Sequence, residues 1–197
     1  MKITDVAPPA AADPNGAGLM LAVIPQTVGS LLAGIAIAMV VRGRTRRLVA
    51  AGALALGGGL ALALTLGPWL GVQPGGLAAN CGLLTLAVAA LSWPVIGAHS
   101  LFGRPGLGLM AAVTLFAAMP WSAFALPHQF LPAHSGEVGQ WLAPGASATL
   151  SRAVGYFPDA PTAGPWWALA LWAAFGVTAI AAGRRAGGPA GAGPTPQ

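Results

Sequence analysis

Charge is scarce in this chain: nine Lys/Arg and four Asp/Glu among 197 residues, or 7%, where a soluble domain carries about 25%. So few charges cannot cover the surface of a water-soluble globule of this size. Intrinsic disorder is excluded too, because it needs low hydrophobicity and high charge. Cysteine is nearly absent; Cys81 alone allows neither an intrachain disulfide nor a cysteine-based metal cluster. No Gly-rich loop ending in Lys-Ser/Thr is present to cradle a nucleotide phosphate. No serine, cysteine or carboxylate pairing points to nucleophilic or acid–base catalysis, so the chain is not read as an enzyme, and no cofactor is implied.

What remains is apolar. Hydrophobic residues make up 56% and the mean hydropathy is +0.73. A bilayer core of about 30 Å takes roughly 20 apolar residues in a helix. Five stretches meet or approach that length: about Gly18 to Val41, Leu48 to Leu70, Leu77 to Ala98, Leu107 to Leu126 and Trp166 to Ala182. None of them contains Asp, Glu, Lys or Arg. The expected fold class is all-α: a polytopic membrane helix bundle with five transmembrane helices, spanning 18–182, in contact with the lipid bilayer of the cell membrane.

The few arginines orient it. Arg42, Arg44, Arg46 and Arg47 fill the link between the first two spans, Arg104 lies between the third and fourth, and Arg184 and Arg185 follow the fifth. The opposite face holds only Lys2 and Arg152. By the positive-inside rule the arginine-bearing loops are cytoplasmic, with the amino terminus outside and the carboxyl terminus inside. These arginines are topology determinants and candidate contacts for anionic lipid, so the pI near 11.2 does not imply nucleic acid. Residues 1–17 form a short polar extracytoplasmic tail with Asp5 and Asp13, unlike a cleaved signal peptide. Residues 183–197 read as a disordered cytoplasmic tail.

Trp69, Trp121, Trp166 and Trp167 fall near the outer span ends, where an apolar ring with one polar N–H anchors well. Trp93, beside Pro94, marks the inner interface or a kink. Ser30, Gly34 and Ala38 make a small-residue stripe on the first span, and Ala55 and Gly59 another on the second.

One connection is long: Pro127–Pro165, 39 residues on the outer face. Pro144 can start a helix. After it Ala146, Leu150, Ala153, Val154 and Phe157 recur at helical spacing, with Ser147, Ser151 and Arg152 on the other side. This predicts an amphipathic, re-entrant or interfacial segment shaped by Trp141, Pro144, Gly145 and Arg152. His128, His134 and Glu137 share the loop, but the six-residue offset and Pro132 make them solvated side chains rather than zinc ligands.

The order of segments here resembles a known group. Leu101-Phe102-Gly103-Arg104-Pro105-Gly106-Leu107-Gly108 precedes a span ending in Met119-Pro120-Trp121-Ser122. Ala125-Leu126-Pro127, Phe130-Leu131-Pro132 and Gly139-Gln140-Trp141-Leu142-Ala143-Pro144-Gly145-Ala146 follow, then Arg152 and Tyr156-Phe157. This looks like the carboxyl-terminal membrane half of the phage infection protein (Pip) group, related to type 2 ABC-transporter permeases. That group commonly shows Leu-Pro-Pro-Gly-Ala where this chain has Leu142-Ala143-Pro144-Gly145-Ala146.

The resemblance implies a permease-like subunit of an ABC-type export system, with a re-entrant outer segment between its last two spans. Its expected partners are a separate ATPase subunit, or a membrane chain supplying the extra span and extracytoplasmic domain that the group carries ahead of these five. The alternative is a non-transporting membrane scaffold, or a surface or phage receptor, presenting residues 127–165.

Overall fold

Apolar runs without charge fold as helices because hydrocarbon offers the backbone no other hydrogen-bond partner. The computed structural model describes residues 13–14, 17–122, 135–157 and 159–183, and among these it is all-helical. Four helices are long and apolar enough to cross a membrane: α1 (Ala17–Val40), α2 (Arg44–Leu64, continued by a π-helical turn at Thr65–Trp69), α3 (Leu77–Phe102) and α8 (Ala163–Ala182). The fourth apolar run is also one helical stretch, from Arg104 to Trp121, built as α4 (Arg104–Ala112), a π-helical turn (Val113–Ala118) and α5 (Met119–Trp121). It begins three residues earlier than the sequence pattern predicts, and its expected last residues, 123–126, lie outside the described ones.

α3 is the hub. In its most apolar 18-residue window 72% of residues are buried, against 22–39% for α1, α2 and α8. It packs most extensively on α8, then α2 and α1. Small residues set these approaches. A Cβ on Gly34 of α1 would lie 3.0 Å from the Ser92 carbonyl oxygen, and one on Gly59 of α2 only 2.5 Å from the Thr85 nitrogen. Both small-residue stripes therefore sit at helix contacts with α3. The α3–α8 contact uses a further pair that the sequence pattern did not single out: a Cβ on Gly97 would meet Ala179 Cβ at 2.6 Å, and one on Gly176 the Trp93 backbone at 2.5 Å.

The contacts also give directions. Along α3 from Leu83 to Ser100, α8 presents first Ala168 and Leu169, then Gly176, then Gly183 to the turn that follows it. α8 is therefore parallel to α3. Gly106 of α4 lies against Ala98, whereas Thr114 and Ala118 face the region of Ala90–Pro94. The Arg104–Trp121 stretch thus runs antiparallel to α3. Gly103, at φ 69°, makes the reversal between them.

Trp93 is partly buried and has a hydrogen-bond partner. Its indole N–H donates to the Ala51 carbonyl of α2 at 3.0 Å and its ring packs against Ala55, Ala89 and Ala173. Trp69 and Trp167 are exposed, as outer-rim residues would be, and Trp121 is partly so.

Candidate functional site

The long connection enters the bundle. Its described residues form two helices, α6 (Ser135–Trp141) and α7 (Ala143–Tyr156), joined at Leu142. Pro144 stands in the first turn of α7, where its missing N–H is no loss. α7 packs on α3, α8 and α1, and Ala143, Ala146 and Leu150 join one core cluster with Leu83, Leu84, Leu91 and Leu169. The serines that helical spacing puts on the opposite side are enclosed as well: Ser147 and Ser151 are 1% and 4% exposed. Both are small enough to be enclosed, and Ser147 satisfies itself by donating to the Pro144 carbonyl at 3.0 Å.

Glycines let the hairpin close. A Cβ on Gly145 would run into the Gly139 carbonyl and come within 3.2 Å of Ser122 Cα, while one on Gly139 would strike the Trp121 carbonyl. Gly145 of the predicted set is thus the contact point of α6, α7 and the end of α5. Around it, Thr149 donates to the Gln140 side-chain carbonyl, and Trp172 of α8 donates its indole N–H to the Trp141 carbonyl at 2.8 Å. Tyr156, at the far end of α7, donates to the Val72 carbonyl at 3.4 Å. Trp141 is itself exposed, and Arg152 is half-buried with its own partner interactions. Glu137 is exposed on α6; His128 and His134 lie outside the described residues.

The tip of this hairpin stops deep in the bundle. Leu142, Ala143 and Pro144 share a cavity of about 20 Å³ with Ala90, Leu91 and Pro94 of α3, Thr114 in the π-helical turn, and Trp172. Pro94 lies 17 residues below the start of α3, about 26 Å at 1.5 Å per residue. Since Pro94 has no N–H, the Ala90 carbonyl loses its helical donor at this cavity. α7 thus begins inside the bundle, which leaves a helix end and the freed Ala90 carbonyl together there. Such backbone is tolerated only where protein buries it or where it lines a path for water or solute.

At the opposite end sit the arginines. Arg42, Arg44, Arg46 and Arg104 are exposed. Arg47 has another task. Its guanidinium donates to the Val41 carbonyl at 2.8 Å, to the Ala38 carbonyl at 3.0 Å and to Ser100 Oγ at 3.0 Å. It thereby caps the last turn of α1, whose carbonyls have no helical donor. Arg184 and Arg185 lie outside the described residues.

Sequence reasoning missed a second polar feature. Gln26 and Thr27 are enclosed on α1, and Gln73 and Asn80 are enclosed at the α2–α3 turn, where Gln73 Nε2 donates to Asn80 Oδ1 at 3.1 Å. The available signal was their position: polar side chains inside or beside spans otherwise made of Ala, Leu, Val and Gly. No family model, no curated protein and no solved structure matches the chain.

Proposed function

We propose that the chain is the permease-like membrane subunit of an ABC-type export system, crossing the cell membrane five times with its amino terminus outside and its carboxyl terminus in the cytoplasm. The observation that carries this reading is α7, which begins at a bend among the spans at the level of Pro94 and runs back toward Leu83 and Val72, at the end opposite the arginines. Helices that begin or break at such depth are found in channels and transporters, where protein buries them or they line a path for solute. The antiparallel run of Arg104–Trp121 supports a fifth crossing. From Leu48 to Phe102 the chain has no Asp, Glu, Lys or Arg, which argues against proton coupling through the spans and for an energy source on a separate ATPase.

The test is copurification from native nanodiscs with mass spectrometry of the associated chains. A nucleotide-binding subunit is expected to accompany this one. Recovery of the chain alone, together with unchanged export of lipophilic compounds from a deletion strain, overturns the proposal. The scaffold or receptor reading keeps one supporting observation, the exposed Val138 and Trp141 on α6. It requires partner or phage binding that Trp141→Ala weakens without disturbing membrane insertion.

A further inference from the structure

Two of the polar side chains that the fold encloses without satisfying are neighbours on one helix. Gln26, Thr27 and Ser30 lie on the inward face of α1 at 4%, 0% and 6% exposure, and neither Gln26 Nε2 nor Thr27 Oγ1 has a hydrogen-bond partner. Gln26 is nine residues into α1, about 14 Å along the helix, so it lies in hydrocarbon rather than among headgroups. An amide or hydroxyl left unpaired there is strongly unfavourable. Hydroxyls in other helices of this chain avoid that by donating to the carbonyl four residues back: Ser92 to Val88, Thr114 to Met110, Thr178 to Ala174. Thr27 makes no such bond.

The missing partner cannot come from a neighbouring molecule while α1 stays in place, since both atoms are enclosed by this chain alone. It must enter a seam. α1 packs mainly on α3 and more lightly on α2 and α7. Ala22, one turn before Gln26, rests on the cluster that holds Ala146 and Leu150 of α7. Gly34, two turns beyond, is the point of closest approach to α3. The unpaired groups therefore sit between a tight contact and the re-entrant helix.

We infer that the seam between α1, α3 and α7 is a binding site for a neutral amphiphile bearing oxygen acceptors, which enters as α1 parts from α3 and accepts hydrogen bonds from Gln26 Nε2 and Thr27 Oγ1. The class follows from the lining. Gln26 Nε2 can only donate and Thr27 Oγ1 can donate, so ligand oxygen acceptors satisfy both. α1 and α3 contain no Asp, Glu, Lys or Arg, and the one charged residue of α7, Arg152, has partner interactions of its own, so the polar part needs no charge, and the surrounding Ala and Leu side chains take an alkyl portion. The inference rests on the permease reading for calling this a transport site; the unpaired groups and the seam do not depend on it.

The test uses the full chain in nanodiscs, with Cys81→Ser to silence the native thiol. The Thr27→Cys thiol is expected to react with a small water-soluble methanethiosulfonate faster than the Leu83→Cys thiol, although both positions are 0% exposed in the closed bundle. Octyl glucoside, below its solubilising concentration and at about ten times its Kd, is expected to slow that reaction about tenfold. In a Ser30→Cys reporter, adding Gln26→Leu and Thr27→Val should abolish the protection while the protein stays monodisperse. Equal reactivity at positions 27 and 83, or protection that survives loss of both donors, overturns the inference. Neither result depends on an ATPase, so this proposal and the export reading fail separately.

Discussion

Arg47 Nη1 donates to Ser100 Oγ across 3.0 Å, which fastens the first turn of α2 to the last turn of α3. The Ser100 hydroxyl in turn donates to the Ile96 carbonyl at 2.8 Å, and the other Arg47 nitrogens hold the end of α1. One side chain thus collects three helices at the arginine-rich end. Arg47→Ala is expected to lower stability by about 1–3 kcal/mol, since charged donors to buried carbonyls contribute on that scale. Arg44→Ala, on an exposed neighbour, should stay within about 0.5 kcal/mol. Denaturant unfolding in one detergent compares the two; equal effects would show that Arg47 acts only as a surface charge.

Gly59 and Gly57 are two residues apart on α2 and face different surroundings. A Cβ on Gly59 meets the Thr85 backbone, which cannot step aside, whereas one on Gly57 meets nothing within 4 Å. Gly59→Ala should therefore cost about 1–3 kcal/mol as overpacking. Gly57→Ala should be neutral or stabilise by up to about 1 kcal/mol through helix propensity. Thermal midpoints of the two variants check this, and a tolerated Gly59→Ala would mean that α2 and α3 pack less closely than described.

Asp13 caps α1, its carboxylate accepting from the Ala17 N–H at 3.0 Å and the Gly18 N–H at 2.7 Å. Asp13→Ala removes both acceptors and a negative charge at a helix amino terminus, with an expected cost of about 0.5–2 kcal/mol. Asp13→Asn, which keeps an acceptor, should recover part of it. Stability that does not change in Asp13→Ala would rule out the cap.

Gly145→Val drives a side chain into Gly139 and Ser122, the junction where the hairpin closes. It should loosen α6 from α7 at a cost of about 1–3 kcal/mol and speed proteolysis between residues 123 and 142. Gly108→Val, at a position open on all sides, is the control.

Which parts of this fold were legible in the sequence follows from what periodicity can report. Length and the absence of charge located α1, α2, α3 and α8 to within a few residues, because a membrane helix must satisfy its own backbone over the whole apolar depth. The helical repeat after Pro144 located α7 but not how fully its serine side is enclosed. Alternation of Leu150 with Ser147 and Ser151 looks amphipathic, yet serine is small enough to enter a core, and Ser147 there bonds to its own helix. That enclosure changes experiments as well: deleting residues 132–157 to test a receptor role would also remove Ala146 and Leu150 from the bundle. The Gly97–Gly176 contact was hidden for another reason. In a chain with 29 glycines, only the partner helix shows which of them are at a contact.

The number of crossings turns on Arg104–Trp121. At 18 residues this stretch is about 27 Å long, just under a hydrocarbon thickness of about 30 Å, and its initial arginine and two prolines keep its average hydropathy low. Its contacts nevertheless return the chain from the Phe102 end of α3 to the level of Ala90, and α7 then reaches Leu83 and Leu84. Asp159, exposed just before α8, reads the outcome. In a Cys81→Ser background, the Asp159→Cys thiol should react with an impermeant maleimide on intact cells, while the Arg44→Cys thiol should react only after permeabilisation. Both thiols reacting on the same side would contradict the parallel packing of α8 on α3 and overturn the five-crossing reading.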